Sequence, residues 1–213
     1  MTDTPEHSNP ADNKVILVNK PLEWTSFDVV KKLRSALRLK KIGHAGTLDP
    51  LATGLLVLCT GSKTKEVSKI QDTVKEYTGT ILLGVTTESY DLETPVLEQK
   101  DVSHVDPVEI RAAMNDLTGV IEQVPPLHSA VKIGGKRAYK IARAGGKAEV
   151  TARQVEIFEF EMTSCDLPEV SFRVVCSKGT YIRSLAHDLG RLTGHGACLN
   201  SLTRTRVGEF SLE

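Results

Sequence analysis

What this sequence lacks narrows it first. Its four cysteines, Cys59, Cys165, Cys176 and Cys198, stand singly, without the paired spacing of a zinc knuckle or a disulfide framework. They read as buried reduced thiols in a cytosolic protein. No apolar run approaches membrane-spanning length, so no membrane segment is expected. The opening "MTDTPEHSNPADN" lacks the basic start and apolar stretch of a signal peptide. It is polar and carries prolines, so residues 1–13 are expected to form a disordered lead-in. A phosphate loop is missing too: Gly135-Lys136 is followed by Arg137, and the earlier glycine is absent. No dinucleotide fingerprint follows a strand and no serine sits in an elbow motif. His187, Asp188, His195 and Cys198 cluster near a helix end, but their spacing fits no familiar metal site. No metal and no cofactor are expected.

Net charge is also lacking, with 27 basic against 27 acidic side chains. The distribution says more than the sum. "KKLRSALRLKK" and "KIGGKRAYKIARAGGK" are basic and free of acids. Residues 88–122 hold nine acids against Lys100 and Arg111. A solvated face explains any one run. Two basic runs offset by an acidic segment suggest a bipolar molecule with one face for a polyanion.

The 213 residues suffice for one substantial core. "VILVN" reads as a first strand, and "TSFDVVKKLRSALRLK" as a helix with Thr25 and Asp28 spaced as a capping box. Phe27, Val30, Leu33 and Leu37 form its expected apolar stripe. "LLVLC" reads as a buried strand, "SKTKEVSKIQ" as a short helix, and "KEYTGTILLGVTT" as a half-buried strand through Tyr77, Gly79, Ile81 and Leu83. Residues 86–105 read as mostly loop and 107–117 as a helix capped by Asp106. Residues 124–147 open on two prolines, turn at Gly134-Gly135 and carry a short basic helix, so they read as an excursion from the core. "ARQVEIFEFEM" changes its alternating face between Ile157 and Phe158, which predicts a β-bulge. "EVSFRVVCSKGT" is a strand, "TYIRSLAHDLGRL" a helix and "CLNSLTRTRVGEF" a closing strand. There is no internal repeat. The expectation is one α+β domain over 14–213, on a mainly antiparallel mixed sheet flanked by helices.

One stretch asks for chemistry. In "KKIGHAGTLDPLATGLLVLCTGSKTK", Asp49 sits between glycines, flanking lysines and Pro50. An Asp-Pro pair is ordinarily a helix cap followed by its first helical residue. Asp106-Pro107 has the apolar stripe such a cap needs; after Asp49-Pro50 comes only "LATG" and then a strand. A cap there spans about one turn, so the loop reads as built to present the carboxylate.

Four segments together resemble one family, the TruB-type tRNA pseudouridine synthases, which isomerise uridine 55 in the T-loop. They are "NKPLEWTSFDVV", "GHAGTLDPLATGLLVL", "KEYTGTILLG" with "VPPLHSAVKIGGKRAYKIARAGG", and "CSKGTYIRSLAHDLG" with "LTRTRVGEF". They cover nearly all of 14–213. The resemblance implies a pseudouridine-synthase-like fold, a cofactor-free and metal-free isomerase, and a tRNA T-arm stem-loop as partner. A cytoplasmic monomer is expected. Many relatives continue into a C-terminal RNA-binding domain, so a catalytic core without it is expected here. By position, Asp49 is the expected nucleophile, Arg183 the arginine that pairs with it, and Tyr77 the tyrosine that stacks on the target base and serves in proton transfer. Tyr181 and Leu202 match contacts around the flipped nucleotide, and His44 the histidine that fills the vacated T-loop space. Lys20 is either structural or an RNA contact. Lys132, Arg137, Lys140 and Arg143 belong to the excursion that closes over the T-arm. The carboxylate has three routes open: attack on uracil carbon 6, attack on the anomeric carbon, or assisted elimination. A non-catalytic tRNA-binding or tRNA-folding protein on the same scaffold is the alternative, and retention of Asp49, Tyr77 and Arg183 together speaks against it.

Overall fold

The computed structural model describes residues 9, 11–129, 131–146 and 148–212, and the side chains of Lys132, Lys136 and Arg143 lie outside the described residues. In chain order the first elements are β1 (Val15–Lys20), α1 (Ser26–Ala36), β2 (Ile42–His44), β3 (Ala52–Thr60), a 3-10 helix (Gly61–Glu66) and α2 (Val67–Gln71). Then follow β4 (Lys75–Leu83), β5 (Val85–Thr87), β6 (Val96–Gln99), α3 (Pro107–Asp116) and β7 (Gly119–Gln123). The excursion holds β8 (Lys132–Ile133), β9 (Lys136–Arg137) and α4 (Ala138–Arg143). Last come β10 (Arg153–Asp166), β11 (Glu169–Cys176), α5 (Ile182–Leu192), β12 (Ala197–Val207) and β13 (Phe210–Ser211). The class is α+β, with mainly antiparallel strands flanked by helices, and the residues group into two compact units.

The first unit is Met1–Thr73 with Arg204–Glu213. β3 is its spine, paired antiparallel with β1 and β2 and flanked by the end of β12. Successive side chains of a strand point to opposite faces. Leu56 and Leu58 therefore pack with Val29, Val30, Leu39 and Ile42. Leu55, Val57 and Cys59 pack with Ala45, Ile70 and Val207 on the other face. A strand covered on both faces reads as an unbroken apolar run, which "LLVLC" is. α1 starts at the Thr25–Asp28 capping box, with both reciprocal hydrogen bonds formed. Its buried face is Ser26, Val29 and Val30, with Leu33 and Leu37 against the same cluster. Phe27, placed on the apolar stripe by spacing, is instead 65% exposed. Most of the expected lead-in falls outside the described residues. Its Asn9 donates to the Leu37 carbonyl, and Thr60 Oγ1 donates to the Ala11 carbonyl at 2.6 Å, so residues 9 and 11 are tied down.

The second unit is Val74–Thr203, in which β12, β4, β11, β10 and β7 are neighbours in that order. The β4–β11, β10–β11 and β7–β10 registers are all antiparallel. The pairing of β10 with β11 shifts between Ile157 and Glu159, the expected bulge, and again between Met162 and Ser164. Phe160 and Phe172 meet edge to face across that ladder, with centroids 5.9 Å apart. α3 begins at Asp106, whose carboxylate accepts from the Val108 N–H at 2.8 Å, and packs on β10 and α5. Residues 86–105 are mostly loop, interrupted by one short pairing. β5 and β6 pair as a small two-stranded ladder whose exposed β6 residues gave no alternating signal. The 124–147 excursion contains the β8–β9 hairpin around Gly134-Gly135, both at positive φ, and then α4.

Candidate active site

In the first unit, Asp49 opens a tight turn rather than a helix. The Ala52 N–H donates to the Asp49 carbonyl at 3.1 Å, with Pro50 fixing the second position, and β3 starts at once. Four anchors hold this turn. Ser26 Oγ accepts from the Leu48 N–H at 2.9 Å and donates to the Leu48 carbonyl at 3.2 Å. The Glu23 N–H donates to the Pro50 carbonyl at 2.9 Å. Lys20, 0% exposed, donates its ammonium to the carbonyls of Pro21, Trp24 and Pro50 at 2.9, 2.6 and 3.3 Å. Burial pulls the Lys20 pKa below that of a free lysine, while the attraction of Asp49 and Asp28 works the other way.

The fourth anchor is Arg204, which sequence reasoning missed. It is 1% exposed, and its guanidinium spans the loop, Nε donating to the Leu55 carbonyl at 2.8 Å and Nη2 to the Gly46 carbonyl at 3.1 Å. Gly54 makes this possible: a Cβ there would stand 2.3 Å from the Arg204 carbonyl oxygen, so only glycine lets β12 come so near β3. The available signal was an arginine at an inward position of the "LTRTRV" alternation. His44 ends β2 at the head of the loop. Burial lowers its pKa, a hydrogen bond with the Gly46 backbone raises it, and the charge of Arg204 lowers it further. The imidazole is therefore neutral at pH 7, and its buried Nδ1 has no hydrogen-bond partner among the described residues.

In the second unit, Tyr77 lies on β4 opposite Val174 and is buried. Two residues along the same face comes Gly79, where a Cβ would meet the Ser201 carbonyl at 2.1 Å. The missing side chain lets β12 close onto β4 and sets buried Leu202 beside it. Thr80 and Ser201 pin that register, the Thr80 N–H donating to Ser201 Oγ at 3.1 Å.

Arg183 is on the first turn of α5 and 4% exposed. Three of its contacts diverge: Nη1 donates to the Ser89 carbonyl at 3.1 Å, Nη2 to the His128 carbonyl at 3.0 Å, and Nε faces Asp91 Oδ2 at 3.5 Å. The sequence reading placed no carboxylate other than Asp49 beside it, so Asp91 is a second missed residue. Asp91 is itself fixed: its Oδ1 accepts from the Glu93 N–H, and its carbonyl accepts from Thr87 and Ser89 hydroxyls at 2.6 and 3.1 Å. In the sequence it was one acid among nine in an acidic segment, with nothing to single it out. Tyr181 precedes α5, with Gln123 exchanging hydrogen bonds with both its N–H and its carbonyl and Arg153 above its ring at 5.6 Å. Ser184 Oγ donates to the Val124 carbonyl at 2.7 Å, tying the base of the excursion to α5. Arg137 and Lys140 are exposed on the excursion; Lys132 and Arg143 sit on β8 and α4, with side chains outside the described residues. Among the described residues no group of three or more His, Cys, Asp or Glu is arranged to hold a metal ion.

The fold and its relatives define the class as a pseudouridine synthase. The chain belongs to the TruB family: the description "TruB family pseudouridylate synthase (N terminal domain)" matches residues 34–182. It is 49% identical over 209 residues to the "tRNA pseudouridine synthase B" of Flavobacterium johnsoniae, covering 95% of this chain and 91% of that one. The protein of the same name from Parabacteroides distasonis is 47% identical over 206 residues, covering 94% and 88%. Among solved structures, "Crystal Structure of a Cbf5-Nop10-Gar1 Complex" aligns with a TM-score of 0.75 at 32% identity, over 95% of this chain and 51% of that chain. "Structure of H/ACA RNP bound to a substrate RNA containing 2'-deoxyuridine" aligns at 0.72 and 28%, over 95% and 50%. This chain thus spans about half the length of those two structural relatives.

Proposed function

We propose that this enzyme converts uridine 55 in the T-loop of tRNA to pseudouridine, with Asp49 as nucleophile and no cofactor. The observation that carries the reading is the brace around Asp49. Lys20, Ser26 and Arg204 spend their hydrogen bonds on loop carbonyls and one N–H, fixing the turn while its carboxylate remains half-buried rather than sealed in the core. Pseudouridine is an isomer of uridine. The N1–C1′ bond breaks, the uracil turns, and C5 bonds to C1′, while the hydrogen on C5 leaves and N1 gains one. The sum of atoms and electrons is unchanged, so a carboxylate, a positive neighbourhood and a proton acceptor suffice. We assign the nucleophile to Asp49, positive charge to Arg183, and base stacking with proton transfer to Tyr77.

Reaching a base in a loop requires turning it out of its stack, after which aromatic and apolar side chains receive it. Tyr77, Tyr181 and Leu202 are assigned that role, and His44, whose Nδ1 has no hydrogen-bond partner among the described residues, is assigned the space the uridine leaves. Arg137 and Lys140, with Lys132 and Arg143, are assigned to the T-arm phosphates.

The test incubates the protein with an unmodified tRNA transcript and with an isolated T-arm hairpin, then maps pseudouridine by carbodiimide-dependent reverse-transcription stops. One stop at position 55 in both substrates is expected. Asp49→Asn is nearly isosteric, so it should abolish turnover while holding tRNA affinity within about tenfold of wild type. Turnover by that variant above about one per cent of wild type overturns the nucleophile assignment.

A further inference from the structure

Three large apolar side chains lie in the open on one short stretch of the first unit: Leu22 at 54% exposure, Trp24 at 39% and Phe27 at 65%. Proteins leave single apolar residues exposed without consequence, but a cluster with two aromatics on a rigid support is different. This support is rigid. The ammonium of Lys20 joins the Trp24 and Pro50 carbonyls, the Glu23 N–H meets Pro50, and Glu23 has a φ of +65°. The turn that displays Trp24 is thus fastened to the turn that displays Asp49. Phe27 follows within the first turn of α1, whose capping box fixes its direction.

Around the aromatics the charge is of one sign beyond the cap. Phe27, Lys31 and Arg34 recur at helical spacing on α1 and are all exposed, and Lys32, Arg38, Lys40 and Lys41 are exposed nearby. The acids on the stretch are Glu23 and Asp28, and Asp28 is engaged by the N–H and hydroxyl of Thr25. Aromatic faces interleaved with lysine and arginine are the surface chemistry of a single-stranded or looped nucleic acid: bases stack on the rings and phosphates meet the cations.

We infer that Trp24 and Phe27 form a stacking platform for unpaired RNA bases next to the target nucleotide, with Lys31 and Arg34 taking the adjoining phosphates. This deepens the tRNA reading and rests on it. The occupant is the RNA substrate. A protein partner at this face is the outcome that would replace it.

Trp24 is the only tryptophan in the chain, so its fluorescence reports on this surface without labelling. The full-length protein is titrated with the unmodified tRNA transcript, following Trp24 emission and its quenching by acrylamide, while pseudouridine is mapped in the same samples. Quenched emission and protection from acrylamide are expected. Trp24→Ala and Phe27→Ala should each weaken RNA binding by about 5- to 150-fold, the range for losing one base–aromatic stack. KM should rise more than kcat falls. Stacking releases no counterions, so these variants should keep the wild-type slope of log affinity against log salt, whereas Lys31→Ala should reduce it by about one. Trp24→Phe, which keeps a ring, should restore most of the affinity, separating stacking from a folding defect. Wild-type protein that modifies the RNA while Trp24 stays as open to acrylamide as in the free protein overturns the platform. So does a Phe27→Ala variant that binds like wild type. Wild-type protein that neither binds nor modifies tRNA indicts the tRNA reading itself.

Discussion

Asp91 and Arg183 form a buried ion pair, with side chains 5% and 4% exposed. Removing one charge leaves the other in a poorly solvating interior, and such losses cost about 3–5 kcal/mol. Asp91→Asn keeps the volume and an acceptor for the Glu93 N–H but loses the charge, so it should sit near the low end, about 3 kcal/mol, by urea unfolding. Turnover should fall by at least about a hundredfold, because Arg183 loses one of the contacts that aim it, while tRNA affinity changes less than about threefold. The Asp91→Leu/Arg183→Met double variant should recover much of the stability, since apolar isosteres tolerate burial, and should recover no turnover. If it regains turnover as well, Arg183 has no part in the chemistry.

At the scale of elements, the Asp49 turn is only as fixed as its braces. Arg204→Lys keeps the charge but replaces a planar fork with a single ammonium, which cannot span the Gly46 and Leu55 carbonyls along the same two directions. One charged hydrogen bond is worth about 1.5–3 kcal/mol. The variant should lose about that much stability and lower kcat more than it raises KM, as steady-state kinetics on the tRNA transcript would show. The elements themselves were largely legible in the sequence: the Thr25–Asp28 capping box, the two-sided burial of β3, the Asp106 cap and the bulge after Ile157 all follow from local pattern. The failures share a cause. Spacing put Phe27 on the core side of α1 with Val30, yet Ser26 and Val29 join Val30 there instead. Burial depends on which way a helix is rolled by its neighbours, and spacing does not encode roll. Asp91 was unreadable, and the partners of Arg204 were too, for a similar reason. Each acts on chain more than 90 residues away, Asp91 on Arg183 and Arg204 on Gly46; the alternation of "LTRTRV" turns Arg204 inward, but no local pattern names the partner across that separation. Of the site residues, the roles of Asp49, Tyr77 and Arg183 came from family resemblance rather than from periodicity.

For the molecule as a whole, titration and salt are the available levers. His44 and His187 both have folded-state pKa values held below the ordinary 6.5, chiefly by burial. Between those values and 6.5 the unfolded chain binds more protons, so stability is full above pH 6.5 and declines as the pH falls through that window. Asp188, raised above 3.8 by burial, works in the opposite sense between 3.8 and its folded value. Melting temperatures measured from pH 8 to 5 should fall, and His44→Gln should flatten part of the slope; an unchanged slope would mean that His44 is protonated as readily folded as unfolded. The charge balance of zero does not predict weak RNA binding, because the cations of the excursion and of α1 lie apart from the acids of 88–122 in the sequence. Affinity for tRNA should fall steeply between ~50 and ~200 mM salt, and Arg137→Ala and Lys140→Ala should each reduce the logarithmic slope by about one. A slope that neither substitution alters would remove the excursion from the phosphate contacts.

The first unit is discontinuous along the chain, joining Met1–Thr73 to Arg204–Glu213. During synthesis the stretch bearing Asp49 leaves the ribosome long before Arg204 does. At about 5–20 residues per second the 154 positions between them take on the order of ten seconds to make. Through that interval β3 has no β12 beside it, and the carbonyls of Gly46 and Leu55 lack the guanidinium that later joins them. A nascent chain therefore lacks the Arg204 brace until β12 emerges; with Asp49 proposed as the nucleophile, modification should begin only after translation has passed residue 204.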